Sequence, residues 1–160
     1  MTVMRLILPV CVVIVALVVG PSGTAVADPV TTVNGRVPPG TVLALAEVSV
    51  MIDTVQADGN RLLVVQGIRR PGTRVGIHVH EYGGHTCVLS GTMTDFVEGE
   101  QSMTVPAGSC YYMPPDTPMS AANLGTVDAH LIDTFVLPVG APPITTLEPD
   151  SPSPFPDNVG

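Results

Sequence analysis

The sequence predicts an all-β fold in a single domain, and three observations support this prediction. Val, Ile and Thr dominate most windows of the chain, and these β-branched residues favour strands over helices. Glycine and proline, with 16 and 17 residues in a chain of 160, interrupt the sequence at short intervals. The segments between these turn signals have the length of strands, as in β-sandwiches and barrels.

The N-terminal segment, residues 1–27, is expected to be a signal peptide. Arg5 precedes an apolar stretch that is too short to span a bilayer comfortably, and Ala25 and Ala27 form an Ala-x-Ala cleavage signal. We therefore expect an exported protein, secreted or held in the cell envelope, that starts at Asp28 and has no membrane attachment after cleavage. A single membrane anchor is the alternative.

A lead-in over residues 28–41 precedes the predicted strands, which follow one another over residues 42–138. The segments of β character are, in order, "TVLALAEVSVMID", "RLLVVQGI", "RVGIHVH", "HTCVLSG", "TMTDFVEG", "SMTVPAG", "SCYYMPPD", "MSAANLG" and "VDAHLIDTFVL". The remaining residues, 139–160, are rich in proline and poor in apolar side chains. They are expected to form a disordered, extended tail outside the core.

The charge of the chain limits its partners. The formal net charge is −8, and the six basic residues are all arginines that form no long basic run. A phosphate backbone would be repelled, which excludes nucleic acid as a partner. A small-molecule ligand or substrate is a candidate partner, and a homodimer is an open alternative.

Three of the four histidines lie in the stretch "GIHVHEYGGHTCVLSG". Side chains alternate along a strand, so His78 and His80 point to the same face, where two neutral imidazoles can chelate a metal. A third ligand after the turn would complete an open site. Packed or hydrogen-bonded imidazoles are the alternative. His130, alone on the last predicted strand, is interpreted as a structural or surface histidine.

The stretch "GTRVGIHVHEYGGHTCVLSG" resembles the first conserved motif of the cupin superfamily, with Gly72, His78, His80 and Gly91 at the matching spacing. In that motif three or four residues separate the second histidine from a glutamate. Three intervening residues place Gly84 at the glutamate position, and four place His85 there. Both alignments stay open.

The stretch "VPAGSCYYMPPDTPMSAANLG" resembles the second cupin motif, through Pro106, Gly108 and Asn123. Met119 replaces the histidine of that motif, and a thioether binds hard divalent ions poorly but favours Cu(I) or apolar packing. The resemblance covers roughly residues 42–138. It implies a jelly-roll barrel, the double-stranded β-helix, in which Tyr82, Tyr111 and Met119 are candidate pocket residues.

The resemblance also implies a disulfide. Removal of the signal peptide leaves Cys87 and Cys110, an even number in an oxidising compartment. In the cupin barrel that the chain resembles, the strands "HTCVLSG" and "SCYYMPP" lie next to each other, which would allow a bond between the two cysteines. Two reduced thiols are the alternative.

As to function, we expect an exported cupin that binds a divalent metal ion through His78, His80 and His85. The ion could be Zn, Fe, Mn, Ni or Cu. One alternative is a metal-free barrel that binds a small ligand or has a structural or interaction role. Another is a metal-dependent oxygenase or isomerase that acts on a small organic substrate. No acid–base residue is placed clearly beside the histidines, so enzymatic activity stays open.

Overall fold

A computed structural model describes residues 29–156 and Val159, and the predicted signal peptide lies outside these residues. The described part of the chain contains no helix with the length and hydropathy needed to cross a membrane. The strands, in chain order, are β1 (Thr41–Val42), β2 (Ala46–Val55), β3 (Asn60–Arg69), β4 (Thr73–Arg74), β5 (His78–Val79), β6 (Gly84–Ser90), β7 (Thr92–Val97), β8 (Met103–Pro106), β9 (Cys110–Met113), β10 (Met119–Asn123), β11 (Ala129–Pro138) and β12 (Thr145–Thr146). The all-β prediction is confirmed.

One sheet has five strands in the order β2-β3-β11-β6-β9, and every neighbouring pair is antiparallel. Its central strand, β11, shows the alternation that a half-buried strand requires. Leu131, Asp133, Phe135 and Leu137 are buried on one face, whereas His130 and the other intervening residues are more exposed. The inward face of β11 therefore forms one wall of the interior.

The second sheet contains the order β1-β4-β10-β5-β12, and β7 pairs with both β10 and β8. Strand β10 is buried along its whole length because it has neighbours on both sides and a sheet across the core. It places Met119 directly opposite His78 of β5. The two sheets enclose one core, as expected for a single jelly-roll domain.

The lead-in before β2 is ordered from residue 29 onward, and Asn34 attaches it to the β7–β8 hairpin. The Asn34 side chain donates to the carbonyl oxygens of Val97 (2.8 Å) and Glu100 (2.9 Å) and accepts from the backbone N–H of Gly99 (2.7 Å). Val33, next to it in the chain, is buried. The lead-in is thus part of the packed structure.

The proline-rich C-terminal segment differs from the expected disordered tail. Residues 141–156, which we call the C-terminal strap, lie across the open end of the barrel, and β12 within the strap pairs with β5. Phe155 is buried, and its ring lies 6.0 Å from that of Phe135. Composition alone predicted solvation, but proline also suits an extended segment that packs against an existing surface.

Candidate functional site

His78 begins β5 and His80 directly follows it; the two rings lie side by side, and both residues are only 3% exposed. The Nδ1 atom of His78 lies 2.7 Å from the carbonyl oxygen of Gly76, and that of His80 lies 2.7 Å from the carbonyl oxygen of Pro143 in the strap. The two Nε2 atoms face each other at 3.1 Å. The alternation of side chains along the extended segment 78–80 brings the two rings together, as the sequence predicts.

These contacts determine where the imidazole protons lie. A carbonyl oxygen only accepts hydrogen bonds, so each Nδ1 atom carries a proton and donates it. Burial lowers the pKa of His78 to about 3 and that of His80 to about 4, which leaves both rings neutral near pH 7. Neither Nε2 atom then carries a proton, and their 3.1 Å contact cannot be a hydrogen bond. Two lone pairs face each other, and a cation between them would relieve their repulsion.

The Nε2 atoms face a cavity of about 40 Å³ in the centre of the barrel. One water needs roughly 10–15 Å³ by this kind of measure, so the cavity has room for about three water-sized groups. Its wall is mostly apolar and includes three methionines. The lining residues are Leu45, Arg69, Val75, His78, His80, Thr86, Met93, Tyr111, Met113, Met119, Ala121, Leu131, Asp133, Phe135, Ile144, Pro154 and Phe155.

Four polar side chains of the cavity wall belong to the five-stranded sheet. Thr86 donates a 2.6 Å hydrogen bond to Asp133, and burial raises the pKa of Asp133 to about 6. Burial lowers the pKa of Arg69 to about 10, partly offset by the negative charge of Asp133. Burial also raises the pKa of Tyr111, so that its phenol stays protonated. The wall opposite the histidines thus holds one carboxyl group and one guanidinium.

The C-terminal strap forms part of the cavity wall and is anchored by a largely buried ion pair. Glu148 accepts two hydrogen bonds from Arg74, at 2.6 and 2.7 Å, and a third from the backbone N–H of Ile77 at 2.8 Å. Gly76 allows this close approach, because a Cβ atom there would lie 2.6 Å from the Cβ of Ser151. The same strap supplies Pro143, whose carbonyl oxygen orients His80.

The structure does not bring His85 to the other two histidines, which corrects the expected three-histidine site. His85 is exposed on the outer face of β6 and packs against Tyr112, with ring centroids 5.1 Å apart. Gly84 takes the inward position, where an added Cβ would lie 2.7 Å from Phe135 and 2.8 Å from Met113. A one-residue step reverses the face of a strand, so only one of the two alternatives points inward.

The other predicted site residues divide between the cavity and the surface. Met119 and Tyr111 line the cavity, whereas Tyr82 lies in a turn and is 49% exposed. Cys87 and Cys110 are directly opposed on β6 and β9, with Cα atoms 4.0 Å apart, and they form the predicted disulfide. The bond faces away from the cavity, so neither sulfur reaches the histidines.

Comparison with protein families agrees with the barrel and its motifs. Residues 68–135 match the family model of the cupin domain. Over these residues the chain is similar to cupin domains. The matched residues begin at the end of β3 and end in β11. They include His78 and His80 as well as the two cysteines of the disulfide. No curated protein matches the chain.

Solved structures with the same architecture include three that we describe here. A conserved protein with a double-stranded β-helix domain from Klebsiella pneumoniae is 24% identical with a TM-score of 0.51, over 71% of this chain and 90% of that one. A cupin-like protein from Thermotoga maritima is 20% identical with a TM-score of 0.53, over 63% and 74%. A DMSP lyase from Ruegeria pomeroyi is 12% identical with a TM-score of 0.54, over 68% and 54%. At these identities the similarity shows the fold alone.

The cavity offers donor atoms that are compatible with a metal ion, although only two of them are histidine nitrogens. Two imidazole nitrogens that share a metal at about 2.0–2.1 Å are about 2.9–3.4 Å apart for right-angled to tetrahedral arrangements. The observed Nε2–Nε2 distance of 3.1 Å lies within this range. Within residues 29–156 and Val159, however, no group of three His, Cys, Asp or Glu side chains converges as a metal site.

Sequence reasoning missed the polar pair Thr86–Asp133, although a signal for it exists. In the segment "AHLIDTFVL", every second residue points to the same face of the strand, and this face carries Leu131, Asp133 and Phe135. A buried face therefore holds a carboxyl group between two large apolar residues. A carboxyl group at such a position requires a hydrogen-bond partner. Thr86 on the neighbouring strand β6 supplies it.

Proposed function

We propose that this cupin binds a metal ion in the barrel through the Nε2 atoms of His78 and His80. The observation that carries the proposal is the pair of unprotonated Nε2 atoms, 3.1 Å apart, at the wall of the central cavity. The proposal keeps two of the three histidines that the sequence suggested and does not include His85.

The surrounding residues support metal binding by fixing the two ligands before any ion arrives. The carbonyl oxygens of Gly76 and Pro143 hold each ring in the tautomer that presents Nε2. Such backbone partners orient metal-bound histidines and raise their basicity. Because both rings are neutral at pH 7, an ion does not have to displace protons from them.

The size of the cavity limits what can reach a bound ion. A metal would supply Lewis acidity to a molecule held in the cavity. A cavity of about 40 Å³ accommodates only a few heavy atoms, so a larger organic ligand needs more room than the cavity provides. Asp133 and Tyr111 are the cavity residues able to exchange or donate a proton to such a molecule. A metal-free barrel that binds a small ligand is the competing function.

The experiment is metal stoichiometry by elemental analysis after loading with Zn²⁺, Mn²⁺, Ni²⁺, Cu²⁺ or Fe²⁺ and removal of excess ion. The double variant His78→Ala/His80→Ala should lose the bound ion. The matched control, His85→Ala/His130→Ala, removes the same number of imidazoles from exposed positions and should retain it. Equal metal content in the two double variants would refute the proposal.

We also propose that the protein is exported with residues 1–27 as its signal peptide. The Cys87–Cys110 disulfide supports this, because disulfides persist in oxidising compartments. Mass spectrometry of protein recovered from outside the cytoplasm should give a chain that starts at Asp28. A chain that stays in the cytoplasm with its N-terminal segment intact would contradict this part of the proposal.

A further inference from the structure

We propose that the site selects Cu(I), held by the Nε2 atoms of His78 and His80 and by the thioether sulfur of Met119. This inference rests on the proposed function and names the class of ion. The observation behind it is that methionines are concentrated in the cavity wall beside the two histidines. Of the seven methionines in the chain, Met93, Met113 and Met119 line this one cavity.

Met119 is the methionine whose backbone position places it beside the histidines. It is the partner of His78 across the β5–β10 pair, and both side chains are buried on the inner face. Directly opposed residues of antiparallel strands have Cβ atoms about 4.5–5.5 Å apart. Met113 is engaged elsewhere, since its sulfur lies 3.4 Å from the hydroxyl of Thr86, which bonds Asp133. The backbone pairing therefore makes the thioether of Met119 a candidate third donor beside the nitrogen pair.

The absence of a third hard ligand points in the same direction. No third His, Cys, Asp or Glu side chain converges on the two histidines within the part of the chain that the structure describes. Both cysteine sulfurs are bonded to each other on the outer face. Thioethers bind soft ions such as Cu(I) and are poor ligands for hard divalent ions, so the donor set N, N and S favours copper over Zn²⁺ or Mn²⁺.

The charge of the cavity favours a monovalent ion as well. The desolvation penalty of an ion in a low-dielectric interior rises with the square of its charge. The wall is mostly apolar, and its one carboxylate, Asp133, already interacts with the buried guanidinium of Arg69. Two neutral imidazoles and a thioether add no negative charge. A single positive charge is therefore transferred into this cavity at much lower cost than a double charge.

The test compares Cu(I) and Zn²⁺ binding in one series of variants. All variants carry Cys11→Ser, so that any chain that retains its N-terminal segment has no thiol there to bind Cu(I). Cu(I) is titrated anaerobically, with ascorbate as the reductant, against a chromogenic copper chelator, and Zn²⁺ is titrated against a zinc indicator. X-ray absorption at the copper edge then reports whether sulfur lies in the coordination shell.

We expect Met119→Leu to weaken Cu(I) binding by at least about tenfold and to remove the sulfur from the coordination shell. Met103→Leu, which makes the same change at an exposed position, should leave both unchanged. Met119→His provides a third nitrogen and should reverse the preference toward Zn²⁺. This variant tests the geometry even if the leucine variant is less stable.

The outcomes separate this inference from the proposed function. A copper shell of nitrogen and oxygen alone, or Cu(I) affinity that is unchanged in Met119→Leu, overturns the inference. Zn²⁺ binding that depends on His78 and His80 would in that case leave the proposed function standing. If neither ion binds, or if His78→Ala/His80→Ala binds both as well as the wild type, the proposed function itself fails.

Discussion

Replacing Glu148 with glutamine tests whether the C-terminal strap is held by its ion pair with Arg74. The side chains of Arg74 and Glu148 are only 4% and 14% exposed, and two hydrogen bonds of 2.6 and 2.7 Å join them. Loss of one partner from a buried pair leaves an uncompensated charge and costs about 3–5 kcal/mol. The amide oxygen of glutamine still accepts one hydrogen bond, so we expect about 3 kcal/mol.

The assay is urea unfolding at pH 7, with Asp128→Asn as the matched control. Asp128 also pairs with an arginine, Arg70, but these side chains are 34% and 48% exposed. A surface pair of this kind contributes about 0–1 kcal/mol. Amide exchange of Leu147 and Glu148, which donate to the carbonyl oxygen of Ile77, should accelerate in Glu148→Gln and not in Asp128→Asn. Equal unfolding free energies in the two variants would refute the role of the pair.

The pH dependence of the same comparison has a defined sign. The hydrogen bonds from Arg74 lower the pKa of Glu148 below its ordinary value of 4.5. Its stabilising contribution is therefore present above pH 4.5 and is lost as the pH falls through the pKa of the folded state. The stability difference between the wild type and Glu148→Gln should shrink as the pH is lowered below 4.5.

Three further predictions concern the barrel itself. Replacement of both Cys87 and Cys110 by serine should lower the free energy of unfolding in urea by about 3 kcal/mol. The reason is that the disulfide closes a loop with a sequence separation of 23. A loss below about 1 kcal/mol would contradict this prediction. Gly84→Ala should destabilise the folded protein by about 1–3 kcal/mol, since the new Cβ lies 2.7 Å from Phe135. A variant as stable as the wild type would mean that Gly84 does not face inward. Asp95→Asn should have little effect at pH 4 and should stabilise at pH 8 by up to about 4 kcal/mol. Burial raises the pKa of Asp95 from 3.8 to about 7, so the wild type loses stability as the pH rises between these two values. Unfolding curves at both pH values check the last prediction, and a uniform effect at the two pH values would disprove it.

The fold was predictable from sequence because the turn residues and the two motifs are local patterns. The positions of Gly72, His78, His80 and Gly91 were sufficient to indicate a cupin barrel and a pair of inward-facing imidazoles. The pair follows from the two-residue period of a strand, which holds over so short a distance. The disulfide followed from the adjacency of two strands in that barrel.

The limits of sequence reasoning have physical causes at particular residues. A turn separates His80 from β6, and its length in sequence does not fix the parity of the next strand, so Gly84 and His85 could not be distinguished. The prediction of a disordered tail was wrong because the strap is held by a contact between Glu148 and Arg74. These residues are 74 positions apart, and amino-acid composition does not indicate a contact over such a distance. A proline-rich segment is interpreted as exposed to solvent unless the surface that it packs against is known.

The central claim, that two neutral imidazoles present their Nε2 atoms to one bound ion, is tested most directly by histidine ¹⁵N NMR spectroscopy. In the metal-free protein at pH 7, His78 and His80 should both show the neutral tautomer with the proton on Nδ1. Addition of Cu(I) or Zn²⁺, which are diamagnetic, should shift the Nε2 resonances of these two residues and leave those of His85 and His130 in place. An Nε2-protonated or charged ring at His78 or His80, or metal-induced shifts confined to His85 and His130, would contradict the claim.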